Sequence, residues 1–478
     1  MLSIFLSALM ASTTFPDTTL LSGNPALQVA RIGANHTEVL LTTGYARADK
    51  PLLFQLGDGH QAISFEALSR MHLSDSTVVW GEASYMTGKK RNVTWNSTAD
   101  YELLYPYVMG DTLGGNLSCE RYAFSGGWAR QYRKWSIGAQ VCFRALHEYR
   151  TTDPRPRSIV TDLTAVAGLS RTLGQYAVAL NVGGRFYKQT NDVAFYREAG
   201  AIPEYQFVGL GMDYKRFSGS NTSAYCKATG LVLGFDLTPH EAHKPSLSAR
   251  YDYTPFKRIL PKLNSMPISN LYLYRCQAQV VWPFTASWQA EASVHYERRV
   301  GDEYIAGSSS GTEYRIVSQL TMFHADNARY TLSIKRTATL AAGRLQVRLC
   351  AGYHDFRASY HYPYRSVSLD KLQPSIEACW KRAFHGRRQL ALSLYAEGYI
   401  DLRHSMTMPY ATMDEANTRF VDTTFERLKA SYYGAGLSGR YDMPLTRRYG
   451  MFMAASLSGL AGTPLHSFGA SASVGITF

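Results

Sequence analysis

Apolar and polar residues alternate along most of the chain, in segments of about ten to fifteen residues. In Lys134–Ala145, alternate positions from Trp135 to Ala145 are apolar, and the positions between them are mixed. The same pattern recurs in Tyr272–Trp282, Trp288–Glu297 and Leu390–Ile400. A period of two is typical of β-strands with one apolar face. The pattern therefore predicts an all-β chain of about 18 strands, with an even number between about 14 and 20 if the sheet closes.

The strands of a soluble β-sandwich also alternate apolar and polar residues, so further features decide between a sandwich and a membrane barrel. Aromatic residues lie towards the ends of the apolar faces, where amphipathic rings meet lipid headgroups: Trp135, Tyr272, Trp282, Trp288 and Tyr296. Connections are also unequal, very short at 283–285 and long and polar at about 89–115 and 189–205. Short turns at one end and long loops at the other are typical of outer-membrane barrels. Segments 206–217 and 330–343 are ambiguous.

The last strand carries the most specific signal. In Ser467–Phe478, every second residue from Phe468 to Phe478 is small or apolar, and the strand ends on an aromatic residue. This ending resembles the C-terminal strand that the barrel-assembly machinery reads in outer-membrane proteins. We therefore predict a single transmembrane antiparallel β-barrel over residues 37–478, in the outer membrane of a Gram-negative bacterium, with outer-membrane lipid and that machinery as partners.

Composition agrees with a β-protein and restricts its class. The chain contains 33 Tyr and 38 Gly residues, and its mean hydropathy is −0.21. No apolar stretch reaches the roughly 18 residues that a membrane-spanning helix needs. The net charge of +13 could indicate nucleic acid, but no nucleic-acid motif accompanies it. Its basic residues occur in small groups, which favours a solvated rim near lipid phosphates: Lys89–Arg91, Arg298–Arg299, Arg387–Arg388 and Arg447–Arg448.

Outside the predicted barrel, the N-terminus divides into two parts. The apolar run from Leu2 to Ala11 precedes small residues, which is typical of a secretory signal over residues 1–12. No Lys or Arg precedes this run, and a buried first strand is the alternative. We predict that residues 13–36 form a periplasmic segment or a small plug.

Several motifs resemble an uncharacterised family of outer-membrane β-barrel proteins from Bacteroidetes. They are Asn24-Pro25-Ala26, Ser84-Tyr85 with Gly88-Lys89, Tyr105-Pro106-Tyr107 with Asp111-Thr112, and Tyr149-Arg150 with Asp153-Pro154-Arg155-Pro156-Arg157. The usual continuation of the last motif has Asn where this chain has Ser158. The resemblance implies a fold and a location but no activity. Asn24-Pro25-Ala26 also resembles the opening of fatty-acid-transporter-type barrels.

The Asp153–Arg157 motif has its own physical interpretation. Its two prolines restrict the backbone to extended geometry. We favour a rigid connector with local hydrogen bonds over an anion or lipid-headgroup site.

Catalytic and metal sites are not indicated. The six cysteines are far apart and show no metal-ligand spacing. None of the 13 His residues accompanies a GxSxG or HExxH motif. We predict no enzyme activity, no cofactor and no nucleic-acid partner. Charged residues on polar strand faces are instead predicted to line the lumen: Arg144, Glu148, Arg275, Glu291, Glu297 and Glu397.

A barrel of this size is too wide for side chains alone to fill, so its lumen holds water, a plug or a ligand. We therefore predict a channel or transporter for a small solute or hydrophobic ligand. The alternative is a closed barrel that acts as a scaffold, adhesin or assembly partner. A barrel hydrolase is a third possibility. Aromatic loops at 101–107 and 358–364 suit binding in the first two cases.

Overall fold

A computed structural model describes residues 23–196, 203–219, 222–311 and 313–478. Its strands are β1 (His36–Ala48), β2 (Gly59–Ser74), β3 (Thr77–Val93), β4 (Met109–Gly110), β5 (Gly115–Tyr132), β6 (Trp135–Tyr149), β7 (Arg155–Leu173), β8 (Tyr176–Ala194), β9 (Tyr205–Gly209), β10 (Met212–Asp213), β11 (Ser223–Pro239), β12 (Ser246–Leu260), β13 (Met266–Trp282), β14 (Trp288–Ser310), β15 (Glu313–Leu340), β16 (Gly343–Tyr360), β17 (Arg365–Ala383), β18 (Gln389–Thr407), β19 (Tyr432–Pro444), β20 (Gly450–Gly462) and β21 (Leu465–Thr477).

Helices in the described residues are few and short. The α-helices are α1 (Gln28–Arg31), α2 (Tyr101–Leu104) and α3 (Glu415–Lys429), and 3-10 turns lie at Pro25–Leu27, Phe54–Leu56, Pro261–Leu263, His385–Arg387 and Tyr410–Thr412. None of these helices is long and apolar enough to cross a bilayer.

Eighteen of the strands form one closed antiparallel sheet, which confirms the predicted fold class and strand number. Each strand pairs with the next along the chain, except that β4, β9 and β10 form a separate three-stranded sheet. The barrel closes where β1 pairs with β21, from Glu38 opposite Thr477 to Ala48 opposite Ser467. Closure leaves no strand edge without a partner, as the lipid core requires.

Alternation along the strands separates lipid from lumen. Large apolar side chains project outward and remain exposed, including Leu41, Phe65, Phe124, Val141, Phe143, Leu180, Val182, Leu332 and Leu457. Inward positions carry the polar and charged residues of the lumen, as Gln140, Arg144 and Glu148 do on β6. An apolar outer band of this kind is typical of a barrel that contacts lipid tails.

The two ends of the barrel differ. At one end, here named the turn end, neighbouring strands are joined by connections such as 133–134 and 174–175, where Arg133 and Gly174 adopt the positive φ of tight hairpins. A belt of exposed aromatics surrounds this end: Tyr132, Trp135, Trp282, Phe284, Phe384, Tyr449 and Phe478. Arginines lie over several rings, as Arg171 does over Trp135 at 4.8 Å.

The opposite end, the loop end, carries the long connections. These span 49–58, 94–114, 195–222 and 408–431. Strand β8 continues to Ala194, so the predicted long loop at 189–205 begins later and extends further than expected. The ambiguous segment 206–217 is not a spanning strand, since it forms β9 and β10. The aromatic loop predicted at 358–364 is reduced to 361–364, because β16 extends to Tyr360.

Residues 23–35 lie before β1, and the signal peptide predicted at residues 1–12 lies outside the described residues. Asn24, Pro25 and Ala26 are buried against the inward faces of β6 and β7. Gly138 and Gly168 make this approach possible: a Cβ at Gly138 would lie 2.6 Å from the Pro25 carbonyl carbon, and one at Gly168 would overlap the Asn24 side chain. The Asn24 side chain accepts a hydrogen bond from the Ala26 amide at 3.0 Å.

The β1–β21 seam can be tested with a disulfide. Thr42 and Ser473 are register partners that face the lumen, with 2.9 Å between their hydroxyl oxygens. We expect Thr42→Cys with Ser473→Cys, in a chain whose native cysteines are replaced by alanine, to form a disulfide upon mild oxidation, because register partners satisfy disulfide geometry. The unreduced chain would become circular and migrate differently in a denaturing gel.

The matched control is Thr42→Cys with Ala472→Cys, whose side chains lie on opposite faces of the sheet. Equal cross-linking of both pairs would contradict the register, and cross-linking of neither would contradict closure.

Candidate functional site

Three loop-end segments fold into the lumen and meet there. We refer to the described parts of these connections, 94–114, 203–219 and 408–431, as the plug. Trp95 from the first segment stacks on Phe420 from the third at 4.6 Å. Phe207 from the second lies 6.1 Å from Trp95 and 6.4 Å from Phe420. These aromatic contacts join the segments into one apolar cluster, which also includes inward side chains of the barrel wall.

Helix α3 supplies the third part of this cluster. Asp414 caps its N-terminus by accepting a hydrogen bond from the Asn417 amide at 2.8 Å. Phe420, Val421 and Phe425 are buried on one face. Sequence reasoning missed this helix, although the N-cap and the apolar spacing of three and four residues were available signals.

Cations of the barrel wall hold the plug by its backbone. Arg258 on β12 donates to the carbonyl oxygens of Phe207 and Val108, both at 3.2 Å. Arg299 on β14 donates to the Tyr105 carbonyl at 2.6 Å, and Arg365 on β17 to the Leu210 carbonyl at 2.9 Å. Three further bonds reach the plug. Lys371 donates to the Ala430 carbonyl, and Arg144 donates to the Asp100 carboxylate. Arg258 also donates to the Gln206 side chain. Buried carbonyls without hydrogen bonds are costly, so these donors stabilise an inward-folded loop.

A cavity of about 980 Å³ lies between the plug and the barrel wall. Its strand side is charged, and its plug side is largely apolar apart from Asp100 and Glu102 of the first plug segment. The charged lining residues are Lys90, Asp100, Glu102, Arg121, Arg144, Glu148, Asp162, Arg185, Arg275, Glu297, Arg299 and Arg329. The apolar lining includes Leu53, Leu56, Leu103, Leu210, Met406, Met408, Phe420, Val421, Phe425 and Leu428. This volume lies within the range of small-molecule sites, roughly 300–1,000 Å³.

Four of the six predicted lumen residues line this cavity. Arg144 binds Asp100 and Asp162, whereas Glu148 binds Lys90 at 2.5 Å, so the sequence neighbours Arg144 and Glu148 have separate partners. Arg275 binds Glu297 at 2.6 Å, and Arg299 binds the same carboxylate at 2.7 Å.

The other two predicted residues also face inward but lie elsewhere. Glu291 accepts a hydrogen bond from Gln279 at 2.7 Å. Glu397 accepts one from Tyr399 at 2.9 Å and lines a second cavity of about 130 Å³. A role in solute selectivity stays a prediction for all six residues.

The basic groups predicted for a solvated rim near lipid phosphates divide between two environments. Arg387, Arg388, Arg447 and Arg448 lie at the turn end. Lys90 and Arg299, in contrast, line the cavity. Part of the net positive charge is therefore used inside the barrel.

The Asp153–Arg157 motif forms local hydrogen bonds at the loop end. Arg155 donates to the Asp153 carboxylate at 2.6 Å. The preceding Arg150 donates to the Pro154 carbonyl at 2.6 Å and forms a buried ion pair with Asp111 of the plug at 2.7 Å. The rigid-connector interpretation accounts for these contacts, and the connector also supports the plug.

The arrangement of possible metal ligands does not indicate a metal site in the described residues. No group of three or more His, Cys, Asp or Glu side chains in the described ranges is arranged to hold a metal ion. All six cysteines lie on strands and are free thiols.

Comparison with known proteins gives the family. A model of a family of unknown function, DUF6850, matches residues 25–478. The chain belongs to this family. The expected membership of an uncharacterised family is thus confirmed, and the bacterial phylum stays a prediction. The chain matches no curated protein.

The chain is also similar to solved structures with distant sequences. One is FyuA, the ferric yersiniabactin uptake receptor of Yersinia pestis, at 8% identity, covering 93% of this chain and 80% of FyuA with a TM-score of 0.44. Another is BauA, the ferric preacinetobactin receptor of Acinetobacter baumannii, at 9% identity, covering 92% of this chain and 80% of BauA with a TM-score of 0.41.

Arg258→Met tests the anchoring of the plug. The substitution removes the charged donor to the carbonyls of Phe207 and Val108, although the Val108 carbonyl keeps its bond from the Phe207 amide, so we expect plug opening to become easier by about 1–3 kcal/mol. The folded protein in detergent should be cut by thermolysin within 203–219 faster than the unsubstituted protein. Arg403→Ala is the control, because Arg403 lies on a barrel strand with 83% of its side chain exposed. Equal rates of cleavage in the two variants would contradict the anchoring role of Arg258.

Glu204 makes the plug sensitive to pH. Burial and the neighbouring Asp111 carboxylate raise the pKa of Glu204 to about 8. The folded plug therefore favours the neutral carboxyl, and the stability that this proton provides is lost as the pH rises from about 4.5 towards 8. We expect the hydrogen-exchange protection factors of residues 203–219 to fall at least about tenfold between pH 5 and pH 9.

Glu204→Gln should keep high protection at both pH values. Glu102→Gln, at an exposed position of the plug, should retain the fall. A flat profile in the unsubstituted protein would contradict the role of Glu204.

Proposed function

We propose that this protein is a gated carrier in the outer membrane of a Gram-negative bacterium, for a small solute that binds in the lumen. The observation that carries the proposal is the cavity of about 980 Å³ that lies between the plug and the charged wall. A simple pore needs a continuous water-filled path, whereas here three loops fold into the lumen at the loop end. A plugged lumen with a ligand-sized cavity favours binding followed by release.

The location rests on the exterior of the barrel. Its apolar band and the aromatic belt at the turn end match the hydrocarbon core and one headgroup layer of a bilayer. Outer-membrane lipid is accordingly the proposed surrounding of the barrel. Recognition of the last strand by the barrel-assembly machinery stays a prediction.

Transport is favoured over the alternative of a scaffold or adhesin. A scaffold of that kind works through long loops that extend from the barrel. In the described residues, 94–114, 203–219 and 408–431 instead contribute buried side chains to the lumenal cluster. Exposed aromatics remain at the loop end, notably Tyr362 and Tyr364, but they lie on a short connection.

Conductance in planar lipid bilayers tests the gate. We expect the complete protein to give no stable open steps, because the plug fills the lumen near the loop end. Replacement of residues 414–430 by a short Gly-Ser linker removes α3 and with it Phe420 and Phe425, so discrete current steps should appear. Steady open-channel current from the complete protein would overturn the proposal in favour of a passive pore.

The control is Glu415→Ala with Arg419→Ala, which breaks an exposed ion pair on α3 and should leave the bilayer silent. Refolding of each variant is checked by the shift in gel mobility upon boiling that closed barrels show.

A further inference from the structure

The cavity carries more positive than negative charge. Seven Lys or Arg side chains line it against five Asp or Glu side chains, an excess of two positive charges. Lys90, Arg144, Arg185, Arg275 and Arg299 each have a carboxylate partner. Arg121 and Arg329 form no ion pair with any described residue. The five paired cations share four carboxylates, so Arg121 and Arg329 are the two lining cations without an ion pair in the described part of the chain, and Glu102 is the lining carboxylate without one.

The side chains of these two arginines are half-buried, and part of each guanidinium is withdrawn from solvent. The Nε atoms of Arg121 and Arg329 are buried and have no hydrogen-bond partner in the described parts of the chain. A buried Nε–H group without an acceptor is costly, and the guanidinium that carries it stays charged. Asn327 and Arg329 project into the cavity from β15, and His60 and Arg121 project from β2 and β5. An anionic ligand group would supply the acceptors that the wall lacks.

The plug side of the cavity has the opposite character. Met406, Met408, Phe420, Val421, Phe425 and Leu428 all come from the third plug segment or the strand end before it. Methionine side chains are flexible and polarizable, and they adapt to apolar ligands of varied shape. One cavity thus offers unpaired cations on one wall and an adaptable apolar surface on another.

We propose that the carrier binds an anionic amphiphile, a molecule with a carboxylate, sulfate or phosphate group and an apolar body. The anionic group pairs with Arg121 or Arg329, and the apolar body packs against the plug. This inference rests on the proposed function, since it names the chemical class of the solute. A neutral amphiphile would leave both guanidiniums unpaired, and a small inorganic anion would leave the apolar surface in contact with water.

Photo-cross-linking tests this class directly. The probe is a dodecanoate that carries a diazirine near its chain end, and its methyl ester is the matched uncharged probe. With the full chain in lipid nanodiscs, we expect the dodecanoate to label residues 406–428, as identified by mass spectrometry, and the ester to label them at least about tenfold less, because it lacks a charge-assisted bond. Labelling of outward residues such as Leu332 by both probes serves as the internal reference for partition into lipid.

Variants separate the two levels of the proposal. Arg121→Met with Arg329→Met should reduce labelling of 406–428 by the dodecanoate at least about tenfold, and Arg121→Lys with Arg329→Lys should retain most of it, because the charge is kept. A gel shift upon boiling confirms that each variant is folded. Equal lumenal labelling by both probes, or labelling unaffected by the methionine variant, would overturn the anionic class while leaving a lumenal carrier intact. Labelling confined to outward residues for every probe would overturn lumenal binding itself.

Discussion

A sheet that crosses a lipid bilayer can have no open edge, and the rest of this structure depends on that constraint. Pairing of β1 with β21 satisfies it and sets the barrel at 18 strands. A ring of this size encloses more space than inward side chains can fill. The chain fills part of that space with its own loops, whose backbone groups then need hydrogen-bond partners away from bulk water.

Those partners explain an otherwise puzzling composition. A net charge of +13 suggests a surface that binds anions, yet Arg258, Arg299 and Arg365 point inward and donate to loop carbonyls. Arginine suits this work because its guanidinium remains charged and offers several donors to differently placed acceptors. The same wall also carries Arg121 and Arg329, whose buried Nε atoms have no hydrogen-bond partner among the described residues. The guanidinium group therefore serves both the anchoring of the plug and the proposed recognition of an anionic ligand.

Periodicity predicts the barrel well because lipid and lumen impose opposite requirements on successive residues. The local sequence of a strand thus shows which residues face the lumen, and inward positions such as Arg144 and Glu297 can be identified from it. The local sequence does not show which residue each inward side chain will pair with. Arg144 binds Asp100, which comes from a loop, while Glu148 binds Lys90 on another strand. Such pairs depend on strand register and on how far a loop enters the lumen.

The plug is the part that sequence patterns identify least. Trp95, Phe207 and Phe420 are far apart in the chain and lie together only in the three-dimensional fold. Residues 206–217 resemble a strand by pattern, and they do form strands, but in a small sheet within the barrel. Asn24-Pro25-Ala26 can be identified as a motif in the sequence, whereas its packing against Gly138 and Gly168 is seen only in the three-dimensional structure.

The way in which the plug is attached restricts how it can move. Two of its segments, 94–114 and 408–431, are continuous with a barrel strand at both ends, and all four of those strand ends lie at the loop end. A segment tethered in this manner cannot swing through the barrel as a stopper attached at a single point could. It can only withdraw towards the side from which it entered. In the proposed carrier, retraction of the plug therefore exposes the cavity first to the loop-end side, so that the solute enters from that side.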